Sequence, residues 1–166
     1  LLVNHNRLLR SYDGAIGVKT GFTKKSGRCL VSAAERDGVT LIAVTLDAPD
    51  DWRDHTAMLD YGFAQYQTVS LCRTGDEAFA LPVTGGTADT AALNYAQDCT
   101  VALPVGHKPV TVTVEAPRFL FAPVEADTVR GEAVYSCDLD GDGKAEELAR
   151  IPLVTGVSVA RKPAEK

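Results

Sequence analysis

The sequence has no apolar run approaching the roughly 18 residues that a membrane-crossing helix requires, no cysteines at metal-ligand spacing and no cluster of basic residues. Each absence closes off a class of protein. Without the apolar run no spanning helix is expected, and membrane association is left to segments outside these 166 residues. The 17 Lys and Arg are outnumbered by 22 Asp and Glu and are scattered, so the net charge of -5 gives no footprint for nucleic acid, and no nucleic-acid partner is expected. Cys29, Cys72, Cys99 and Cys137 lack any C-x-x-C or His partner, which argues against zinc. In an oxidising compartment they allow three full pairings, but a chain able to bury its own core needs no disulfide framework, and free buried cysteine is the simpler expectation. The opening Leu1-Leu-Val-Asn-His-Asn6 has neither an initiator Met nor a signal-peptide pattern, and the chain reads as cut from something longer.

What remains is an ordinary globular composition, 45% hydrophobic and 23% charged. Residues 15 to 23 and Arg28 to Glu35 read as strands. Asp37-Gly38 is a two-residue hairpin signal, and Val39 to Leu46 is β-rich and nearly all apolar, the pattern of a third, central strand. After Pro49, Asp50 and Asp51 are N-cap candidates, and Trp52, Thr56, Leu59, Phe63 and Tyr66 recur at helical steps. Beyond Gln67 the helical period disappears. Short alternating segments at Val69–Cys72, Ala78–Val83, Cys99–Val105, Val110–Val114, Ala133–Cys137 and Leu148–Val154 are punctuated by Gly, Pro and Asp, as in a small β-sandwich. The expected fold class is α+β: antiparallel strands plus a helix over residues 1–66, an all-β sandwich-like domain over 67–160, and a polar tail over 161–166.

One stretch carries chemistry: Tyr12-Asp-Gly-Ala-Ile-Gly-Val-Lys-Thr-Gly-Phe-Thr23. A phosphate-binding P-loop needs Lys directly after Gly, and Val18 separates Gly17 from Lys19. Lys19-Thr20-Gly21 instead matches the K-T-G element of penicillin-interacting serine enzymes, whose other signatures are S-x-x-K and S-D-N. In acyl transfer each residue type has a use. Lys19 supplies a fixed positive charge, Thr20 donates a hydroxyl hydrogen bond to a carboxylate, and Gly21 lets a substrate backbone approach. The N–H of Phe22 is a candidate oxyanion-hole donor.

The surroundings strengthen the match. Asn4-His-Asn-Arg-Leu-Leu9, Gly17-Val-Lys-Thr-Gly-Phe-Thr23, Gly27-Arg-Cys-Leu30, Leu41-Ile-Ala-Val-Thr-Leu46 and Leu59-Asp-Tyr-Gly-Phe63 occur in an order that resembles the end of the catalytic domain of D-alanyl-D-alanine carboxypeptidases, the low-molecular-mass penicillin-binding proteins. The later residues, including Ala122-Pro-Val-Glu-Ala126, Val129-Arg-Gly-Glu132 and Ile151-Pro-Leu-Val154, resemble that family's C-terminal domain. The resemblance implies a transpeptidase-like domain and removal of the terminal D-Ala from peptidoglycan stem peptides through an acyl-serine intermediate. It implies acylation by β-lactams and an extracytoplasmic place in the cell envelope, and the run is close to forms from Gram-positive bacteria. Thr23 matches a polar position after K-T-G, and Arg53, near the start of the helix, stands close to the family's substrate-binding Arg. Trp52-Arg53-Asp54-His55 departs from the pattern around it.

None of the six serines, at 11, 26, 32, 70, 136 and 158, is followed by Lys three residues on or by Asn two residues on. The chain alone is therefore expected to be inactive. The alternative from another class is a non-enzymatic β platform that binds cell wall or protein. Half of an α/β domain also leaves strand edges and apolar surface open, which predicts self-association or a partner that fills the gap. Asp138-Leu-Asp-Gly-Asp-Gly143 resembles the opening of a calcium loop, but the twelfth position is Ala149 and the neighbours are strands. A polar hairpin tip is expected there, and no metal or cofactor. Asp50 and Asp51 read as helix caps, and His5, His55 and His107 as surface or core residues.

Overall fold

The computed structural model describes residues 3–163; Leu1, Leu2 and the last three residues of the polar tail, 164–166, lie outside the described residues. Two compact units emerge, Leu1–Val69 with Ala102–Val105, and Ser70–Val101 with Gly106–Lys166.

The first unit opens with a short helix, α1 (Leu8–Ser11), followed by β1 (Ala15–Thr23), β2 (Gly27–Arg36), β3 (Val39–Thr45) and the helix α2 (Asp51–Gln65). The three strands form an antiparallel sheet in the order β1-β2-β3, with Phe22 opposite Arg28, Lys19 opposite Val31 and Ala34 opposite Leu41. Asp37 and Gly38 turn the second hairpin with φ of 49° and 78°. Both lie in the left-handed region that a type I′ turn demands, and an Asp-Gly pair reaches it at small cost. Leu8, Tyr12, Leu30, Ala34, Ala43 and Leu59 make the core. Each fully buried Leu contributes about 2 kcal/mol of transfer free energy.

The helix begins where expected, but its buried face is not the expected stripe. Asp51, His55 and Leu59, one turn apart, are the buried positions, with Trp52, Thr56 and Phe63 half-buried beside them. Two polar residues sit on the core side because partners await them: Arg28 for Asp51, and Ser32 and Thr45 for His55. Tyr66, expected on that stripe, has left the helix and begins β4 (Tyr66–Cys72). The N-cap residue Asp50 makes no side-chain capping bond. Gly62 is where the helix comes closest to the sheet, since a Cβ there would lie 2.6 Å from Leu41 Cδ1.

The remaining strands are β5 (Glu77–Thr84), β6 (Thr90–Tyr95), β7 (Cys99–Pro104), β8 (Thr111–Glu115), β9 (Leu120–Phe121), β10 (Val129–Cys137) and β11 (Glu146–Thr155). Six of them join in the order β8-β10-β11-β6-β5-β9, with only β5 and β9 parallel, and β4 pairs with β7. The α+β class is as expected, with helix confined to the first unit. Leu81, Leu93, Ala133, Ile151 and Leu153 centre the second unit's core. Tyr135 reaches into it, its hydroxyl 2.8 Å from that of Tyr95 and 3.2 Å from the Leu71 carbonyl oxygen. Burial pushes its phenol well above the ordinary range. No helix among the described residues is long and apolar enough to cross a membrane.

Candidate functional site

Two asparagines position the K-T-G strand. Asn4 donates through its side-chain amide to the Val18 carbonyl at 3.1 Å, and buried Asn6 donates to that of Gly17 at 2.8 Å. Their own amide oxygens accept the N–H groups of Asn6 and Leu8, which ties the segment before α1 to the outer edge of β1. Past Val18, β1 pairs among the described residues only with β2, so the edge that carries Lys19 to Thr23 is open.

A cleft of about 510 Å³ opens there, lined by Thr20, Gly21 and Phe22 on one side and by His5, Arg7, Arg28, Cys29, Asp51 and Trp52 around it. Its electrostatics centre on Arg28, which donates to buried Asp51 at 2.7 Å; this hydrogen bond raises the guanidinium pKa further. The same Asp51 oxygen accepts the Trp52 N–H at 2.9 Å. The Arg28 and Arg7 guanidinium groups lie 5.7 and 5.9 Å from the Trp52 ring centre, within cation–π range. Two cations and an aromatic ring beside an open strand edge suit an extended ligand bearing a carboxylate.

Of the residues singled out from the sequence, Thr20, Gly21 and Phe22 come together in this cleft. Lys19 is exposed, donates to the Thr20 carbonyl at 2.7 Å, and lines a smaller recess of about 210 Å³ with Thr20 and Gly21. Thr23 stands outside the cleft; its hydroxyl accepts the Ser26 N–H at 2.9 Å and meets the Ser26 hydroxyl at 2.6 Å, closing the β1–β2 turn. Arg53 is exposed on α2 and does not line the cleft. Arg7 and Arg28 do, and sequence reasoning passed over both. For Arg28 a signal existed: a short turn after Thr23 sets it opposite Phe22.

His55 makes the contact that a hydrolase nucleophile and base would make, with Ser32 Oγ 2.5 Å from Nδ1 and Thr45 Oγ1 2.9 Å from Nε2. Ser32 and His55 are both fully buried, and desolvation lowers the imidazole pKa. No substrate reaches them, and the network is a polar core pin. Asp138, Asp140 and Asp142 gather at the tip between β10 and β11, where they accept backbone N–H groups of Gly141, Gly143, Asp142 and Lys144. The segment is the turn between β10 and β11 that the sequence suggests, and its three carboxylates stand close enough together to share a cation.

The open strand with its Lys-Thr-Gly, on an antiparallel sheet covered by a helix, defines a class that the comparisons make explicit. Residues 1–50 match the family model described as D-alanyl-D-alanine carboxypeptidase. Among its relatives, the D-alanyl-D-alanine carboxypeptidase DacF of Bacillus subtilis is 29% identical over 157 residues, 92% of this chain and 39% of that protein. The D-alanyl-D-alanine carboxypeptidase of a Streptomyces species is 48% identical over 64 residues, 37% of this chain and 22% of that one. The crystal structure of a peptidoglycan synthesis regulatory factor (PBP3) from Streptococcus pneumoniae superposes with a TM-score of 0.68 at 25% identity, covering 95% of this chain and 47% of that one. The chain thus spans less than half the length of these relatives.

Proposed function

We propose that this chain supplies one wall of the catalytic cleft of a serine-type D-Ala-D-Ala carboxypeptidase, which removes the terminal D-Ala from peptidoglycan stem peptides through an acyl-serine intermediate and is acylated by β-lactams. The observation that carries this reading is the placement of Thr20, Gly21 and Phe22 along a cleft at the open edge of β1, with Arg7 and Arg28 facing them. A stem peptide lies along that edge as an added strand. Gly21 supports the reading by a negative: a Cβ there would meet only Cys29, at 3.8 and 3.9 Å, so internal packing does not require glycine. What a side chain would obstruct is an approaching backbone.

Lys19 supplies positive charge to the proton network and Thr20 donates to the substrate carboxylate. The Phe22 N–H serves as one oxyanion donor, a role that elsewhere contributes about 3 kcal/mol to the transition state. Thr23 holds the turn that orients Phe22. Arg28, which lines the cleft, takes the carboxylate-binding role that the resemblance assigns to Arg53, which lies outside it. The serine and its base come from outside the chain, which alone turns over no substrate. The enzyme works outside the cytoplasmic membrane, in a Gram-positive envelope. The apolar outer face of the sheet, with Ile42, Val44 and Leu46 exposed, is covered by further protein or by a second copy.

Labelling with a fluorescent penicillin tests this, run on the chain alone and on a longer polypeptide in which an S-x-x-K-bearing segment of the family precedes it. Only the longer protein is expected to label. Labelling of the chain alone would refute the external serine, and labelling of neither would refute the K-T-G assignment.

A further inference from the structure

We infer that Cys72 and Cys99 are a disulfide-forming pair, a modification site in the second unit that is independent of the K-T-G cleft. Among the described residues, β4 and β7 pair only with each other. The Val105 N–H donates to the Gln65 carbonyl at 2.8 Å, so the start of β4 meets the end of β7 and the two run antiparallel. Cys72 is the last residue of β4 and Cys99 the first of β7, so the two cysteines lie at the same end of this strand pair. Opposed residues in an antiparallel pair have Cα atoms about 4.5 to 5.5 Å apart and side chains on one face. A disulfide bridges about 4.4 to 6.8 Å.

The side chains occupy one environment. Cys72 is 7% exposed within the second unit's core, and half-buried Cys99 packs against that same cluster. Cys99 is close enough that its thiol and backbone N–H both act on the ionisation of Cys72. The other two cysteines have no such arrangement. Cys29 belongs to the first unit, and Cys137, outside that core cluster, directs its sulfur to the Lys108 carbonyl at 3.2 Å.

The oxidant is an external disulfide, acting by thiol–disulfide exchange. Cys99, the more accessible, loses its proton to solvent, and its thiolate attacks one sulfur of the reagent, releasing the other half as a thiolate. The Cys72 thiolate then attacks the Cys99 sulfur and expels the second half. The protein gives up two protons and two electrons, and the reagent disulfide becomes two thiols. Burial raises the pKa of both cysteines, which makes exchange slow in the folded chain and fastest while it folds. The bond closes the loop that holds β5 and β6, restricting the unfolded chain far more than the folded one.

The experiment refolds the full chain from denaturant in a buffer of reduced and oxidised glutathione, so that burial does not limit access, and maps the product by mass spectrometry without reduction. One intramolecular disulfide joining the Cys72 and Cys99 peptides is expected, with a melting temperature raised on the order of 10 °C and restored by dithiothreitol. Cys99→Ser is expected to abolish both changes and Cys29→Ser to leave them. Four free thiols at equilibrium, or a bridge mapped to Cys29 or Cys137, would overturn the inference.

Discussion

The two units handle apolar surface differently. In the second, Leu81, Leu93 and Leu153 are 2% exposed or less, at the centre of one core built from several strands. In the first, α2 covers one face of the sheet and leaves the other open, with Ile42 69%, Val44 57% and Leu46 76% exposed. The difference separates a unit whose core is complete from one that keeps a strand edge, a cleft and an apolar face for something else. It also shows where each unit puts polarity. Among the described residues, the first buries Asn6, Ser32, Asp51 and His55, whereas the second buries little beyond Thr155 and the Tyr135 phenol, bonded to that of Tyr95.

Core truncation should break this comparison most directly. Leu153→Ala is expected to cost about 3 kcal/mol in the second unit while leaving the denaturation midpoint of Trp52, the single tryptophan, unmoved. Leu30→Ala should shift that fluorescence midpoint by a similar amount. If both substitutions move the Trp52 signal equally, the units unfold as one and the contrast in self-sufficiency fails.

The next effect belongs to His55. His55→Ala leaves the Ser32 and Thr45 hydroxyls without their ring partner and opens a cavity, at a cost of about 2 to 3 kcal/mol. Because burial lowers the folded-state pKa of His55, protonation favours the unfolded chain. Its contribution is complete above the ordinary imidazole pKa of about 6.5 and declines as pH falls below that value. Denaturation followed by Trp52 at pH 7.5 and 5 should show a loss that His55→Ala abolishes. Tyr12 gives the opposite limit: burial and its hydrogen bond to Asp60 push its phenol up to about 12. Its share is lost as pH rises from about 10 toward that value, and Tyr12→Phe should remove the alkaline drop.

Two substitutions should barely move stability. Ile42→Asp with Leu46→Asp places charge on the open face and is expected to change the midpoint by less than about 0.5 kcal/mol while abolishing concentration-dependent association in sedimentation. A wild-type chain that stays monomeric on concentration would show that this face needs no cover. Gly21→Ala should leave the midpoint unchanged or raise it by up to about 1 kcal/mol, and should slow penicillin acylation of the longer protein. Unimpaired acylation would remove the external reason for glycine.

Much of the first unit was readable in order. The Asp37-Gly38 turn carries its own geometry, and the K-T-G strand stands out by its residues. The second unit was less legible. β6 went unnoticed because Thr90-Ala-Ala-Leu-Asn-Tyr95 has little hydrophobic contrast, although Ala91 and Leu93 are fully buried. The two-residue β9 is too short to carry a period. At the cleft, Thr20, Gly21 and Phe22 were legible as a motif, whereas Arg7, Trp52 and Asp51 reach the same space from elsewhere in the chain and share no spacing with it.

By itself the sequence determined the resemblance, the Asp37-Gly38 turn, the start of α2 and the absence of an S-x-x-K serine, because each resides in consecutive residues and their local chemistry. Only the tertiary structure decided which side of α2 is buried, since Arg28 and Ser32 make Asp51 and His55 tolerable inside, and only pairing of distant strands brought the end of β4 with Cys72 to the start of β7 with Cys99. Burial and cross-strand register depend on partners far apart in the chain, and no local pattern encodes them.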